Sequence, residues 1–139
     1  MTQQAARLSD PCQGCGRPCT GWAVQLVKGS RLRWETEWAC DECGISHDGG
    51  WGPSPADVRE AMVAQHGLRC LRLADDEARG GGILKAFRNA FGLSLRESQE
   101  ATGSLRERGY EATHVETHLL SDLLRKEGIS SVVHSGACT

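Results

Sequence analysis

Hydrophobic and polar positions alternate most regularly between residues 22 and 39. Residues 22–27 predict one strand, residues 28–30 a turn and residues 31–39 a second strand, because a period of two places successive side chains on opposite faces. The second strand has an apolar face and a charged face, formed respectively by Leu32, Trp34, Thr36 and Trp38, and by Arg31, Arg33, Glu35 and Glu37. The pattern therefore predicts a β-hairpin that buries one face.

A short amphipathic helix is predicted at residues 55–66, after a glycine-rich stretch. Ser54 is suited to cap its first turn, Pro55 fits the first helical position, and Gly67 ends the pattern. One narrow face of the helix carries Val58, Ala61, Met62 and Gln65. We expect this helix to connect the two halves of the chain and to pack between them.

The second half of the chain shows helical periodicity in three places, each bounded by turn residues. The expected elements are, in order, a strand at 68–73, a charged loop at 74–82, a helix at 83–91, a helix from the Ser94 cap toward 108, a strand at 110–114, a helix at 115–127 and a strand at 129–133. Ser94 and Glu97 match the signature of a capping box. The order strand, helix, helix, strand, helix, strand predicts a small α+β sandwich.

The 139 residues are 39% hydrophobic and 24% charged, as in an ordinary globular protein. The predicted elements divide the chain into a module at 1–53, a connecting helix at 54–67, an α+β domain at 68–135 and a tail at 136–139. The formal net charge of −2 gives no general attraction for nucleic-acid phosphates. No stretch resembles a signal peptide or reaches the roughly 20 apolar residues of a membrane span, so we expect a cytoplasmic protein without a membrane partner.

Four of the seven cysteines form two matching motifs, Cys12-Gln-Gly-Cys15-Gly and Cys40-Asp-Glu-Cys43-Gly. Zn²⁺ prefers four soft or borderline ligands in a tetrahedron, and a C-x-x-C turn presents two thiolates from one tight bend. The predicted hairpin lies between the two motifs, which is the arrangement of a zinc ribbon. We therefore expect one structural Zn²⁺ ion, enclosed by four thiolates, whose binding is coupled to the folding of this small module.

The remaining cysteines and the tryptophans allow more than one interpretation. Cytosolic proteins keep their thiols reduced, so disulfides are not expected, and Cys70 is interpreted as a small buried hydrophobe. Cys19 and His47 each lie four residues from a predicted ligand, so either residue can replace one. The tryptophans are interpreted as the core of the ribbon, with a stacking surface for nucleic-acid bases as the alternative; they are Trp22, Trp34, Trp38 and Trp51.

The sequence of residues 83–98, ILKAFRNAFGLSLRES, resembles part of the C-terminal domain of the bacterial ribosomal stalk protein of the large subunit. The element order of residues 68–133 is similar as well, and the same superfamily includes the adaptor that delivers N-degron substrates to the bacterial Clp protease. In the stalk family, residues at these spacings contact translational GTPases. The resemblance therefore implies a partner-binding surface formed by Lys85, Arg88, Gly92, Leu93, Arg96 and Glu97. Ser94 and Gln99 depart from the family pattern, which has a glycine and a basic residue there.

These features favour a non-enzymatic adaptor that binds zinc and a protein partner, and the resemblance implies a link to translation. No set of nucleophile, base and acid stands out at catalytic spacing. A second hypothesis is a protein that binds nucleic acid or the ribosome through the ribbon, with contacts from Arg17, Lys28, Arg31 and Arg33. A third hypothesis is an immunity-type protein that neutralises a toxin.

Overall fold

The computed structural model describes residues 2–75 and 80–139, which form two antiparallel sheets and four helices. In the first sheet, consecutive strands pair in the order β1-β2-β3-β4. The strands are β1 (Gln3–Pro11), β2 (Pro18–Lys28), β3 (Arg31–Cys40) and β4 (Gly44–Trp51). The predicted hairpin is confirmed as β2 and β3, whereas the sequence pattern does not predict the two outer strands.

The sequence pattern does not predict β4 because β4 is rich in glycine, which has a low strand propensity. In the structure, tryptophans lie opposite glycines of the first sheet. Trp34 lies opposite Gly50, and a Cβ atom on Gly50 would lie 2.9 Å from Trp34 Nε1. Trp38 lies opposite Gly21 in the same way, with ring atoms 3.0 Å from a Cβ atom placed there. Each indole therefore packs closely over the backbone of the neighbouring strand. This contact compensates for the low strand propensity of glycine.

The helix α1 (Ala56–His66) packs on the sheet beside its first strand. Val58 and Met62 are fully buried in a small cluster with Ala6, Leu8 and Ala23. Gln65 accepts from the backbone N–H of Arg7 at 2.9 Å and donates to its carbonyl oxygen at 2.7 Å. The side chain of Gln65 thus occupies backbone groups that the edge strand leaves unpaired.

The start of α1 differs from the predicted helix start. Pro55 occupies the cap position and makes no side-chain hydrogen bond to the first turn. The Ser54 hydroxyl oxygen instead accepts a hydrogen bond from Gln25 Nε2 at 3.2 Å. Ser54 is therefore not the cap, because a tertiary contact with the sheet engages its hydroxyl group.

The second half of the chain forms β5 (Arg69–Leu73), α2 (Gly80–Phe91), α3 (Leu95–Glu107), β6 (Tyr110–Ala112), α4 (His114–Lys126) and β7 (Ser131–Ser135). The predicted order of elements and the α+β class are confirmed. The three strands form an antiparallel sheet with β5 between β6 and β7. The predicted loop at 74–82 is wrong at its end, because α2 already begins at Gly80. Residues 76–79 of that predicted loop lie outside the described residues.

Close packing requires glycine at one of the three consecutive glycines in the first turn of α2, Gly82. A Cβ atom on Gly82 would lie 3.0 Å from Ile129 Cδ1 and 3.3 Å from Glu127 Cβ. Glycine allows the first turn of α2 to approach the end of α4 this closely. At Gly82 this packing offsets the intrinsic cost of about 1 kcal/mol that a glycine imposes on a helix.

Two capping boxes define the starts of α3 and α4. In the predicted box, the Ser94 hydroxyl accepts from Glu97 N and the Glu97 carboxylate accepts from Ser94 N, both at 3.1 Å. Thr113 and Glu116 form an equivalent box at α4, with distances of 3.2 and 3.0 Å. The predicted strand at 110–114 overlaps this Thr-x-x-Glu signature and is too long. The cap limits β6 to three residues.

The largest core cluster contains apolar side chains from both halves of the chain. Phe87, Leu120 and Leu124 of the second half are completely buried in it. Leu32 of β3 belongs to the same cluster and is 2% exposed, and Val27 of β2 packs against it. The tip of the first hairpin is therefore part of the core of the second half.

A buried polar network joins the first sheet, α1 and α4. Gln25 of β2 is fully buried; its Nε2 donates to Glu116 Oε2 at 3.0 Å, and its Oε1 accepts from Thr113 Oγ1 at 2.6 Å. Arg59 of α1 donates two hydrogen bonds to the Glu116 carboxylate, at 3.0 and 3.1 Å. The carboxylate that caps α4 thus also binds the sheet and the connecting helix. Such a fully satisfied network specifies one arrangement of the two halves.

The Cys70–Cys138 pair corrects the expectation that the chain has no disulfides. Cys70 is buried, as predicted, but it forms a disulfide with Cys138 and is not a free thiol. The bond attaches the C-terminal segment to β5, the central strand of the second sheet. The two cysteines lie 68 residues apart and share no motif, so the sequence pattern does not reveal their pairing.

Gly109→Ala is expected to destabilise the protein by about 2 kcal/mol, because a positive φ and close packing coincide at this position. Gly109 has a φ of 95°, and a Cβ atom there would lie 2.7 Å from Cys70 Sγ and 2.9 Å from Cys138 Sγ. Gly103→Ala is the matched control in the interior of α3, where a Cβ atom meets nothing within 4 Å. It is expected to stabilise by about 0.5–1 kcal/mol. Urea denaturation measures both changes, and equal stabilities would disprove the packing argument.

Candidate metal centre and partner-binding surface

The two cysteine motifs form turns that meet at one end of the first sheet. Cys12 and Cys15 lie between β1 and β2, and Cys40 and Cys43 lie at the turn between β3 and β4. Their four Sγ atoms lie within 4.8 Å of one another, and Cys15 Sγ is 3.5 Å from Cys40 Sγ. Tetrahedral coordination at the usual zinc–sulfur distance separates the sulfur atoms by about 3.8 Å. The four thiols can therefore hold one metal ion.

Backbone amides lower the pKa of the first cysteine of each motif, which favours the thiolate form that binds a metal. The amides of Cys15 and Gly14 donate to Cys12 Sγ and lower the pKa of Cys12 from its ordinary value of 9.0 to about 6. Amides of the second motif, first that of Cys43, lower the pKa of Cys40 in the same way. Contacts with Cys12 and the other thiols raise the pKa of Cys43 to about 12. A bound dication would allow all four thiols to become thiolates, because it would offset their mutual repulsion.

Cys19 and His47 lie outside the group of four ligand atoms found among the described residues. Cys19 is 4% exposed, and burial, followed by its contacts with Cys40 and Cys12, raises the pKa of its thiol to about 12. His47 Nδ1 lies 3.6 Å from the Glu37 carboxylate. The clustered set is therefore the predicted four cysteines, with Cys19 as a buried thiol beside them.

The four tryptophans do not form one core, contrary to the prediction. Trp34 and Trp38 are partly buried, whereas Trp22 is 51% exposed and Trp51 is 46% exposed. The register places the two exposed rings on the opposite face of the sheet from Trp34 and Trp38. The guanidinium group of Arg7 lies over the Trp22 ring, 5.4 Å from its centroid. Alternation in the sequence predicts the two faces of the sheet but does not show which face α1 covers.

The structure separates Arg17 from the other three cations that are predicted to contact nucleic acid. Arg17 directly follows the first cysteine motif and pairs with Glu42 at 3.1 Å. Lys28 and Arg31 face each other at the β2–β3 turn, at the opposite end of the sheet. Arg33 lies two residues further along β3 and forms an ion pair within its own strand at 3.7 Å. The four residues therefore do not share one basic surface.

A groove lies at the surface of α2 and α3, where the family resemblance implies partner binding. It has a volume of about 470 Å³ and is lined by Gly81, Leu84, Lys85, Arg88, Asn89, Gly92, Leu93 and Leu95. Four of the six predicted partner-binding residues therefore lie together. The groove adds Leu84 and Leu95 to the prediction, and Leu95 is 54% exposed. Leu95 lies three residues before the buried Ser98, so helical periodicity in the sequence does not mark it as exposed.

The other two predicted partner-binding residues lie at the start of α3 and outside the lining of the groove. The side chain of Arg96 is 89% exposed and lies 3.5 Å from the Glu100 carboxylate. Glu97 belongs to the capping box, and its hydrogen bonds with Ser94, first that from the backbone, lower the pKa of Glu97. Glu97 therefore orders the turn between α2 and α3, and Arg96 is the member of this pair that is open to a partner.

The chain thus has a four-thiol centre at one end of the first sheet and a mixed apolar and basic groove on the second half. Within residues 2–75 and 80–139, no helix has both the length and the apolar character that crossing a membrane requires. No protein-family model, curated protein or solved structure matches the chain significantly.

Proposed function

We propose that this chain is a non-enzymatic adaptor that is stabilised by one structural Zn²⁺ ion and binds a protein partner through the groove on α2 and α3. The groove carries the proposal because it combines one exposed and two partly exposed leucines with cations, a composition that suits protein recognition. Leu84, Leu93 and Leu95 offer apolar contact area, and Lys85 and Arg88 stand beside them. The cations favour a partner that carries acidic residues.

Zinc is the metal that fits the donor set best. Four clustered thiols at two C-x-x-C turns are typical of structural zinc sites, and four thiolates leave no coordination position for water or substrate. A zinc ion in such a site stabilises the fold and does not activate a nucleophile. The proposal of a non-enzymatic protein rests on this closed coordination shell.

A protein of the translation apparatus is the partner to test first, because residues 83–98 resemble the stalk domain. The four matched residues Lys85, Arg88, Gly92 and Leu93 line one groove, which supports the transfer of the family's binding surface to this chain. Arg96 lies at the start of the adjoining α3. These residues define the variant that tests the proposal.

The combined variant Lys85→Ala, Arg88→Ala and Arg96→Glu is expected to reduce partner capture about tenfold or more. Each change removes or reverses a cation at the proposed interface, and such contacts contribute on the order of 1 kcal/mol each. Affinity purification of the tagged chain from its native host, with quantitative mass spectrometry, measures the loss for each captured protein.

A matched control makes the same charge change at exposed positions outside the groove. It combines Arg17→Ala, Arg125→Ala and Arg108→Glu. We expect this control to capture the same proteins as the wild-type chain. An equal loss in both variants, or no loss in either, would refute binding through the groove.

A further inference from the structure

The turn between β2 and β3 reaches the helices of the second half of the chain. Lys126 Nζ, at the end of α4, donates to Ser30 Oγ in this turn at 2.8 Å. Leu32, two residues after Ser30, is buried in the core that α2 and α4 share. The hairpin tip is therefore fixed against the second half, and Arg31 stands between these two contacts.

A second cleft of about 400 Å³ lies between the hairpin tip, α2 and α4. It is lined by Ser30, Arg31, Lys85, Ala86, Asn89, Leu123, Lys126 and Glu127. Lys85 and Asn89 also line the groove on α2 and α3. The two depressions are therefore adjacent, with Lys85 and Asn89 between them, and are together called the path, which extends from α3 to the first sheet.

Positive charge dominates this path, although the whole chain has a formal net charge of −2. Four cations line it and one carboxylate does, namely Glu127, which lies 3.3 Å from Lys85. Among the described residues, no carboxylate pairs with Arg31, Arg88 or Lys126. These three cations can therefore form ion pairs with an anionic ligand. Their local positive charge attracts such a ligand to the path.

The ring of Trp51 holds one of these cations in place. The guanidinium group of Arg31 lies 4.4 Å from the centroid of the Trp51 ring, and that of Arg33 lies at 4.9 Å. A cation over an indole face is attracted by about 0.5–1 kcal/mol at an exposed site. Arg31 therefore loses less side-chain freedom when it binds an anion, which favours binding.

We infer that the partner contacts the chain with an acidic, leucine-containing segment that lies along both depressions and brings carboxylates to Arg31 and Lys126. This inference rests on the proposed function and adds the first sheet to the binding surface. A protein segment fits better than a nucleic acid, because none of the described residues that line the two depressions is aromatic. Single strands are usually bound by stacking on aromatic rings. Leu84, Leu93 and Leu95 instead match apolar side chains of a peptide.

The double variant Arg31→Glu and Lys126→Glu is expected to weaken binding of an acidic peptide about tenfold, the combined effect of reversing two exposed charges. The probe is a fluorescein-labelled peptide of Glu, Asp and Leu, about 16 residues long, which is enough at about 3.3 Å per residue to span both depressions. Fluorescence anisotropy with the full-length, zinc-loaded chain measures the dissociation constant.

The matched control variant is Arg17→Glu with Arg125→Glu. Both residues are exposed, Arg17 lies at the opposite end of the sheet, and Arg125 pairs with Asp122 beside Lys126 on α4. The control changes the net charge by the same amount as the Arg31 and Lys126 double variant, but at positions outside the path, where salt screens its effect. We therefore expect it to bind the peptide within about twofold of the wild-type chain. If the glutamate variant does not fold, Arg31→Gln with Lys126→Gln replaces it, with an expected loss of about threefold.

A third variant, Lys85→Ala with Arg88→Ala, separates this inference from the proposed function. If it weakens peptide binding and the Arg31 and Lys126 variants do not, the proposed groove stands and the inference is overturned. If no variant weakens binding, or the peptide does not bind, both are overturned. If single-stranded oligothymidylate displaces the peptide at a lower concentration than unlabelled peptide does, the ligand is a nucleic acid and the assignment of an acidic protein segment is wrong.

Discussion

Cys40→Ser is expected to abolish zinc binding and to unfold the first sheet. Cys40 Sγ belongs to the four-thiol cluster, and the residue is also the last of β3. Structural zinc sites bind with apparent free energies of about 10–16 kcal/mol, whereas whole domains are stable by about 5–15 kcal/mol. Loss of the ion is therefore sufficient to remove the fold of the sheet. Metal analysis by mass spectrometry and circular dichroism measure the two losses.

Cys19→Ser is the matched control for this experiment. Cys19 is buried beside the cluster but lies outside it, so this variant is expected to retain one zinc ion per chain. Zinc loss in the control as well would assign Cys19 to the coordination shell. Iron in place of zinc in the wild-type chain would contradict the assignment of the metal, since four thiolates also suit iron.

The same experiment tests whether the chain divides into independent domains near residue 68. Leu32 of the first sheet lies in the core of the second half, and Gln25 contacts Glu116. Unfolding of the sheet therefore removes buried contacts from the second half as well. We expect hydrogen exchange in α4 to become faster in Cys40→Ser, although the helix itself persists. Unchanged exchange in α4 would show that the two halves are energetically independent.

Glu116→Ala is expected to destabilise the protein by about 3 kcal/mol, the second largest effect that the structure indicates. The Glu116 side chain is 5% exposed and accepts hydrogen bonds from Gln25, from Arg59 and from the backbone of Thr113. Removal of the carboxylate leaves the buried side-chain amide of Gln25 and the partly buried guanidinium group of Arg59 without this acceptor. The expected loss lies at the low end for a buried ion pair, because the Arg59 side chain is 40% exposed and keeps contact with water.

Asp122→Ala is the control for the Glu116 variant on the same helix. Asp122 also pairs with a cation, Arg125, at 3.1 Å, but its side chain is 39% exposed. Exposed pairs contribute up to about 1 kcal/mol, so the control is expected to lose no more than that. Urea denaturation with a double-mutant cycle between Arg59 and Glu116 isolates the pair energy. Equal losses at Glu116 and Asp122 would show that the network does not join the two halves.

Short-range features of this protein follow from the sequence alone. The cysteine motifs, the hairpin of β2 and β3, the capping box of Ser94 and Glu97, and the element order of the second half each depend on residues close together in the chain. Turn geometry, capping and hydrophobic periodicity act over one to about ten residues, so a pattern in the sequence expresses them directly. The same locality explains why β4 gives no signal, because the ring that packs over its Gly50 belongs to Trp34 on the neighbouring strand.

Contacts between distant residues were decided only by the tertiary structure. The disulfide joins residues 68 positions apart, and Gln25 reaches Glu116 across 91 positions. The exposure of Trp22 and Trp51 depends on which face of the sheet α1 covers, a choice that strand alternation leaves open. The sequence by itself therefore determined the candidate metal ligands and the local elements. Packing between the halves determined which surfaces are buried and brought Arg31 beside Lys85 and Lys126, because burial depends on neighbours that no local pattern specifies.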